Sequence, residues 1–329
     1  MNLRPADARR SRRALLIAMA ASPWWSLAAG AGTARPVRIA FLSAGPAPQP
    51  GRFSTFVGIE EGLRERGYGQ LQTQRWYADG DVQRLPGLAQ EVLQWRPDLI
   101  VTNLTPAALA VSRATHTLPV VMAGSGDPVA AGVVQSLAHP GGNVTGVASL
   151  GPELAAKSLE LLRELQSGLR RVGVLAHATD PFTPAMLQTL DATASGLGLQ
   201  LMVERVREAP QFEAVFQGWE RQRVEAMLLQ PSLPQRPGVA LALRHGLPSV
   251  SFTRNFAESG GLLAYAADLQ ETARLATDQV DRILRGAVPA QMPVQQTSRF
   301  DLIINLRTAQ ALRLKVPPTL LARATEVLE

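Results

Sequence analysis

Two patterns alternate along the chain from residue 37 onward, and this alternation most constrains the fold. Short apolar, strand-like runs are followed by segments whose apolar residues recur at helical spacing. Val37–Leu42 and Asp98–Thr102 are strand-like runs, and Phe53–Arg66 between them has its apolar residues on one helical face. Such alternation is typical of parallel sheets whose strands are connected by helices. The pattern therefore predicts an α/β fold with doubly wound parallel sheets.

The alternation breaks at the Gly- and Pro-rich segment His139–Asn143 and then restarts. At 329 residues the chain also exceeds what one hydrophobic core usually supports. We therefore predict two lobes joined by a hinge, the first comprising residues 35–146 and 266–329 and the second residues 147–265. This assigns the late strand-like run Asp301–Asn305 to the first lobe. Ligands of such sheets bind beyond the carboxyl ends of strands, which here are the loops beginning at Ser43, Thr102, Ala123, Ala176 and Leu229.

Residues 1–34 have the pattern of an export signal. A basic stretch, Arg9–Arg13, precedes the apolar run Ala14–Ala29, which is shorter than the ~20 residues of a spanning helix. We expect cleavage near Ala31 or Ala34 and a periplasmic location. The segment Ser11–Leu16, SRRALL, resembles the twin-arginine export motif, and an Arg-rich general secretory signal is the alternative.

Charge and motifs exclude several classes of function. The net charge is +6, but residues 1–34 contribute five arginines and one aspartate, so the rest of the chain carries only +2. A nucleic-acid binder would concentrate positive charge on its folded part, so we expect no nucleic-acid partner. The chain has no cysteine, no phosphate-binding loop and no nucleophile elbow. We therefore expect neither cofactor nor metal nor catalysis, since the histidines are also dispersed, at His116, His139, His177 and His245.

Polar residues follow the first, third and fourth strand-like runs, where a ligand would meet the sheet. Ser43 and Thr105 offer hydroxyls near helix starts, which suit a carboxylate. Thr105 followed by Pro106 also fits a helix N-cap with proline at the first helical position. Asp127 could bind a ligand amine through a charge-assisted hydrogen bond. The alternative for each is structural, with Thr105 as a cap and Asp127 as a turn residue.

The segment Pro119–Gly146, PVVMAGSGDPVAAGVVQSLAHPGGNVTG, resembles the signature of a bacterial family of ABC transporter substrate-binding proteins. In that family a DPV turn precedes an SLAxPGGNVTG block. The resemblance extends over residues 37–329 through further matches at Lys157–Leu162, Gly260–Leu262 with Tyr265, Pro293–Gln296 and Ile304–Leu306.

This resemblance implies a type I periplasmic-binding-protein fold, in which three crossings join two lobes around a ligand cleft. Members deliver a small solute to an ABC permease in the inner membrane, and some are associated with aromatic amino acids. Carried over by position, Ser43 and Thr105 would hold a carboxylate and Asp127 would meet an amine. Tyr265 would lie near the cleft, although a lone aromatic residue in a strand is otherwise typical of a core.

The chain departs from the family pattern at two places. Gly69–Gln72 stands where a G-K-N segment is common, and this changes a surface turn. Tyr265 is followed by Ala266 where the family has Tyr-Gly, and this changes the backbone beside a candidate contact.

The leading hypothesis is a periplasmic solute-binding subunit of an ABC importer. It would capture a small organic solute, such as an amino acid or an aromatic acid, by closure of the two lobes. A sensor that presents the same cleft to a membrane receptor is the alternative, and an enzyme using the cleft is less favoured. We expect a monomer.

Overall fold

The computed structural model describes residues 35–48 and 50–329. The predicted export signal, residues 1–34, lies outside the described residues. Pro36–Glu329 form one compact unit, and the described strands of this unit form two sheets. Across the ranges described, no helix combines the length and apolar character needed to cross a bilayer.

Strands and helices alternate along most of the chain. The strands are β1 (Val37–Ser43), β2 (Leu71–Tyr77), β3 (Leu99–Asn103), β4 (Val120–Ser125), β5 (Val144–Ala148), β6 (Arg171–His177), β7 (Gln200–Val206), β8 (Ala226–Leu229), β9 (Ser249–Ser251), β10 (Leu263–Ala267), β11 (Gln295–Gln296), β12 (Phe300–Asn305) and β13 (Glu326–Leu328). The helices are α1 (Thr55–Glu65), α2 (Leu85–Gln94), α3 (Thr105–Ala114), α4 (Gly151–Leu165), α5 (Thr183–Leu197), α6 (Phe212–Arg221), α7 (Gln235–Arg244), α8 (Arg254–Glu258), α9 (Leu269–Leu284), α10 (Leu306–Ala311) and α11 (Pro318–Arg323).

The first lobe is built on a parallel sheet with the strand order β11-β5-β4-β3-β1-β2. Strand β1 is apolar on both faces because helices cover both faces of the sheet. Ile39 and Phe41 pack into the core formed with α1 and α9. Ala40 and Leu42 pack into the opposite core, formed with α2 and α3. A continuous apolar run therefore becomes a central strand.

The second lobe is built on a sheet with the strand order β13-β12-β10-β9-β8-β6-β7. Strands β6 to β10 are parallel, whereas β12 pairs antiparallel with β10 and β13 pairs in parallel with β12. Side chains of α4 and α5 cover one face of this sheet, and side chains of α6 and α7 cover the other. Two sheets, each with helices on both faces, confirm the predicted α/β fold of doubly wound lobes.

In the described ranges the chain passes between the two sheets three times. It leaves the first sheet after β5, returns to the first lobe after β10, and leaves again between β11 and β12. All three passages run through short segments, which are 149–150, 268 and 297–299. Backbone hydrogen bonds connect these passages, from the Thr297 nitrogen to the Ala148 carbonyl at 3.1 Å and from the Asp268 nitrogen to the Arg299 carbonyl at 3.0 Å. The three segments together are called the hinge region.

The predicted lobe boundaries are wrong at three places. Residues 266–267 belong to the second lobe, because they end β10. Residues 300–329 belong to the second lobe, because β12 pairs with β10 along its whole length, from Leu263 with Ile304 to Ala267 with Phe300. Residues 147–148 belong to the first lobe, because β5 continues to Ala148 beside β4. An apolar run such as Asp301–Asn305 has the composition of a buried strand, but composition does not say which sheet edge it will pair with.

Candidate functional site

A cleft of about 1060 Å³, open to solvent, lies between the two lobes; it is called the interlobe cleft below. Its first-lobe wall comes from the residues that follow β1, β3 and β4, and its second-lobe wall from those that follow β8 and β9. Residues of the β10–α9 crossing complete the lining. The cleft therefore lies at the carboxyl ends of strands, where open α/β sheets bind ligands.

Ser43 ends β1 and lines the interlobe cleft. Its Oγ accepts a hydrogen bond from the Gly45 nitrogen at 3.1 Å and donates to Asn103 Oδ1 at 3.4 Å. Asn103, at the end of β3, in turn donates its Nδ2 to the carbonyl of Ala123 at 2.7 Å. The ends of β1, β3 and β4 are thus connected by side-chain hydrogen bonds. Sequence reasoning passed over Asn103, although a polar residue at the end of a strand-like run was the available signal.

Thr105 lines a smaller cavity that adjoins the interlobe cleft; it is called the side cavity below. Its Oγ1 accepts a hydrogen bond from the Gly126 nitrogen at 3.0 Å and lies 3.1 Å from Ser125 Oγ. The predicted cap is displaced by one residue, because Leu104 is the N-cap and Thr105 is the first residue of α3. The Thr105 hydroxyl therefore binds the loop after β4 instead of capping its own helix.

Asp127 and Tyr265 lie elsewhere. Asp127 Oδ1 accepts a hydrogen bond from the Ala130 nitrogen at 2.9 Å, which is the turn role considered from the sequence. Tyr265 lies in β10, and its ring stacks on Phe300 with centroids 5.8 Å apart. Among the described residues that line the two cavities, neither appears. The structure thus brings Ser43 and Thr105 to adjoining cavities, whereas ligand contacts by Asp127 and Tyr265 stay predictions.

The charged side chains that line the interlobe cleft, Arg254 and Glu258, pair with each other at 3.0 Å. Arg254 also pairs with Glu326 and lies 3.8 Å from Asp301. Three carboxylates therefore surround this guanidinium, so it does not act as an unpaired cation. The rest of the lining is neutral and includes the aromatic rings of Phe53, Phe56, Tyr77 and Phe252.

Asp180 and Ser232 line the side cavity from the second lobe. Asp180 is 4% exposed; its Oδ1 accepts from the Phe182 nitrogen and its Oδ2 from Gln230 Nε2, both at 2.8 Å. Burial raises the pKa of Asp180, and these hydrogen bonds act against that shift. Asp180 follows β6 at a strand's carboxyl end, so the loop was indicated by the sequence but the residue was not singled out.

In the described part of the chain, His, Asp and Glu form no cluster that could hold a metal ion.

The lobes approach each other closely at two glycines. A Cβ built on Gly80, which follows β2, would lie 2.8 Å from the nitrogen of Pro234, which follows β8. A Cβ on Gly126 of the first lobe would lie 2.9 Å from the ring of Phe182 in the second lobe. Since real Cβ atoms do not approach other atoms so closely, these glycines permit close contact between the lobes.

The sequence is similar to those of known proteins. Residues 44–328 match the model of a family described as ABC transporter substrate binding protein. A tyrosine-binding protein of Clostridioides difficile is 24% identical over 264 residues, which cover 78% of this chain and 75% of that protein.

Solved structures are similar over most of the chain. A conserved domain protein from Vibrio cholerae superposes with a TM-score of 0.80 at 24% identity, covering 89% of this chain and 100% of that one. An ABC domain in complex with L-Trp from Streptococcus pneumonia superposes with a TM-score of 0.79 at 26% identity, with the same coverage.

Proposed function

Because the chain belongs to the family of ABC transporter substrate-binding proteins, we propose that it is the periplasmic solute-binding subunit of an ABC importer. The observation that carries this proposal is the interlobe cleft, which has walls from both lobes and combines aromatic rings with a few polar groups. Pockets for small molecules are concave and mostly apolar, with a few polar groups that fix the ligand's orientation. A cleft of this kind suits one small organic solute.

The proposed mechanism is closure of the lobes around the solute. A ligand that contacts both walls stabilises the closed form over the open form by the contacts it makes only there. The short hinge segments at 149–150, 268 and 297–299 allow the lobes to rotate as units. The permease would then recognise the closed form. Binding and release of this kind need no catalytic group, so the proposed role is not enzymatic.

We propose an amino acid or an aromatic acid as the solute class. Aromatic rings from both lobes, Phe56 and Phe252 among them, offer apolar surface to a ring or an aliphatic side chain. Two relatives are described as binding tyrosine and L-Trp. Ser43 and Thr105 remain the proposed contacts of a carboxylate, since their hydroxyls lie in the two adjoining cavities.

Export to the periplasm is also part of the proposal. Its support is the basic and apolar pattern of residues 9–34, with cleavage near Ala31 or Ala34. The twin-arginine and general secretory routes both deliver a protein there. Sequencing the N-terminus of protein recovered from a periplasmic fraction should return a chain that begins shortly after one of these alanines; recovery of the uncleaved chain in the cytoplasm would contradict export.

The solute-binding role is tested by a ligand screen on protein that starts at residue 35. Thermal unfolding is followed with L-amino acids, aromatic acids and other small organic anions, and each hit is measured by calorimetry. A ligand that binds only the folded protein raises its Tm. We expect at least one solute to do so and to reduce the radius of gyration in solution scattering. Folded protein that binds no solute of the screen would overturn the proposed function.

A further inference from the structure

The side cavity and the interlobe cleft share part of their walls, so one solute can occupy both. Leu104, Ser149, Pro231 and Phe252 line each of them. The interlobe cleft is rich in aromatic rings and its charges are mutually paired. The side cavity differs because a buried carboxyl, Asp180, lines it.

Asp180 lacks a cationic partner. Within the described residues, no salt bridge reaches this side chain, although it is 4% exposed. A buried carboxylate is costly unless it is paired or well hydrogen-bonded. A carboxylate offers about four acceptor positions, and the donors at Phe182 and Gln230 occupy two of them.

Gln230 holds the Asp180 carboxyl in one orientation. Gln230 Oε1 accepts from the His177 nitrogen at 2.8 Å. Thr183 Oγ1 lies 3.0 Å from the same oxygen and 2.8 Å from the His177 carbonyl, which compete for its one proton. The Gln230 amide nitrogen must therefore face Asp180, to which it donates at 2.8 Å. Because this donor is fixed, the Asp180 oxygen that faces it must act as an acceptor. The carboxyl is thereby held in place for a further donor.

Ser232 supplies a second acceptor. It is 2% exposed and lines the side cavity, and its Oγ makes no hydrogen bond of acceptable geometry. The hydroxyl nevertheless lies close enough to Asp180 to lower its pKa by donating toward the carboxylate, against the effect of burial. Its two acceptor lone pairs then stay available, and a ligand donor beside Asp180 would satisfy them.

We infer that the side cavity binds a protonated amine of the solute, with Asp180 as its counter-ion and Ser232 as a second acceptor. This inference rests on the proposed function and narrows its solute class from organic acids in general to amine-bearing solutes such as amino acids. The α-amino end would lie in the side cavity and the side chain among the aromatic rings of the interlobe cleft. The rings of Phe182 and Phe252, whose centroids lie 6.0 Å apart, line the same side cavity.

The test compares each solute with its counterpart that lacks the amine. Calorimetry measures L-tyrosine against 3-(4-hydroxyphenyl)propanoate, L-tryptophan against indole-3-propanoate and L-leucine against 4-methylpentanoate. At least one amino acid should bind about tenfold more tightly than its partner, because the amine gains a charge-assisted hydrogen bond in a buried site. Simple acids that bind equally well or better would overturn the inference and leave the proposed function standing. No binding of any solute here or in the wider screen would overturn the proposed function itself.

Variants test whether the preference for the amine arises in the side cavity. Asp180→Asn keeps the size of the side chain and removes its charge, so the preference for the amine should fall to near onefold. Asp191→Asn is the matched control, because Asp191 is exposed on α5, and it should keep the preference. An Asp180→Asn protein that keeps the full preference would overturn the inference. If Asp180→Asn does not fold, Ser232→Ala is the deciding variant. Its preference for the amine-bearing solute should fall at least threefold. An unchanged preference would overturn the assignment to the side cavity.

Discussion

At the scale of single residues, Glu271 shows how one buried carboxylate fixes a hinge segment. It lies in the first turn of α9 and accepts hydrogen bonds from the Ser298 nitrogen at 2.9 Å, Ser298 Oγ at 2.7 Å and the Arg299 nitrogen at 2.7 Å. Burial alone raises the pKa of Glu271, but these hydrogen bonds outweigh burial, so its pKa lies below the ordinary value. The ionised side chain therefore connects the first lobe to the segment that leads into β12.

We predict that Glu271→Gln lowers the free energy of unfolding by about 1–3 kcal/mol at neutral pH, because a buried charge-assisted hydrogen-bond set is weakened. A lowered pKa in the folded state gives stability above the unfolded-state value of about 4.3, and this stability is lost as the pH falls through the folded-state pKa. Urea unfolding at pH 7 and near pH 4 should therefore show a difference between the proteins that narrows at the lower pH. Glu61→Gln, at an exposed position on α1, is the control and should unfold like the parent. A Glu271→Gln difference that is constant with pH would contradict this account.

At the scale of elements, the glycines of the PGGNVTG block have different roles. Gly146 lies within β5 with φ of +131°, and a Cβ there would lie 2.3 Å from the backbone nitrogen and oxygen of Met122 in β4. Any side chain at this position would separate two central strands of the first sheet. Gly142, four residues earlier, is exposed and has no atom within 4 Å of a built Cβ. The block thus combines one glycine required by strand packing with one that meets open space.

We predict that Gly146→Ala lowers the free energy of unfolding by about 3 kcal/mol, since overpacking a well-ordered interior costs this much and the backbone must also leave its favoured conformation. Gly142→Ala should change it by less than about 0.5 kcal/mol, as surface substitutions usually do. Thermal and urea unfolding of the two variants provide the measurement. Equal stabilities would show that β4 and β5 can separate without cost, contrary to the packing described.

At the scale of the whole molecule, the lobes are in contact, and we assign these contacts to the closed form of the proposed mechanism. Gly80 of the first lobe lies against Pro234 of the second, with no room for a side chain. Opening of the hinge would separate these residues, whereas closure brings them together. A group added at Gly80 should therefore act on the equilibrium between the two forms, and through it on affinity.

We predict that Gly80→Ala weakens binding of the best solute from the screen about tenfold, because a clash of about 1.4 kcal/mol in the closed form alone reduces affinity by that factor. Gly67→Ala is the matched control. Gly67 has φ of +92° against +81° for Gly80, so both alanines are strained, but nothing lies within 4 Å of a Cβ at Gly67. Both variants should lose similar stability and only Gly80→Ala should lose affinity in calorimetry. Equal affinity of the two would mean that this contact does not take part in closure.

The sequence by itself determined the local elements and the general location of the candidate site. Apolar periodicity specifies which segments become strands or helices, because each segment buries its own apolar face. The carboxyl ends of parallel strands meet at one edge, so Ser43 and Thr105 were predictable as residues of adjoining cavities. The signature around Asp127 likewise indicated the family before any fold was known.

Only the tertiary structure decided the partners of those elements and the side chains that face the cavities. β12 pairs with β10 at the edge of the second sheet, which was free to accept another strand. No local sequence pattern shows which sheet will have a free edge. Asp127 satisfies its own turn, whereas Asp180, after a different strand, is buried beside Gln230 in the side cavity. Both aspartates follow strands in the sequence. Asp127 accepts a hydrogen bond from a backbone nitrogen 3 residues away, whereas Asp180 accepts one from a side chain 50 residues away. Such long-range packing, and the burial it imposes on a charge, exists only once the chain has folded.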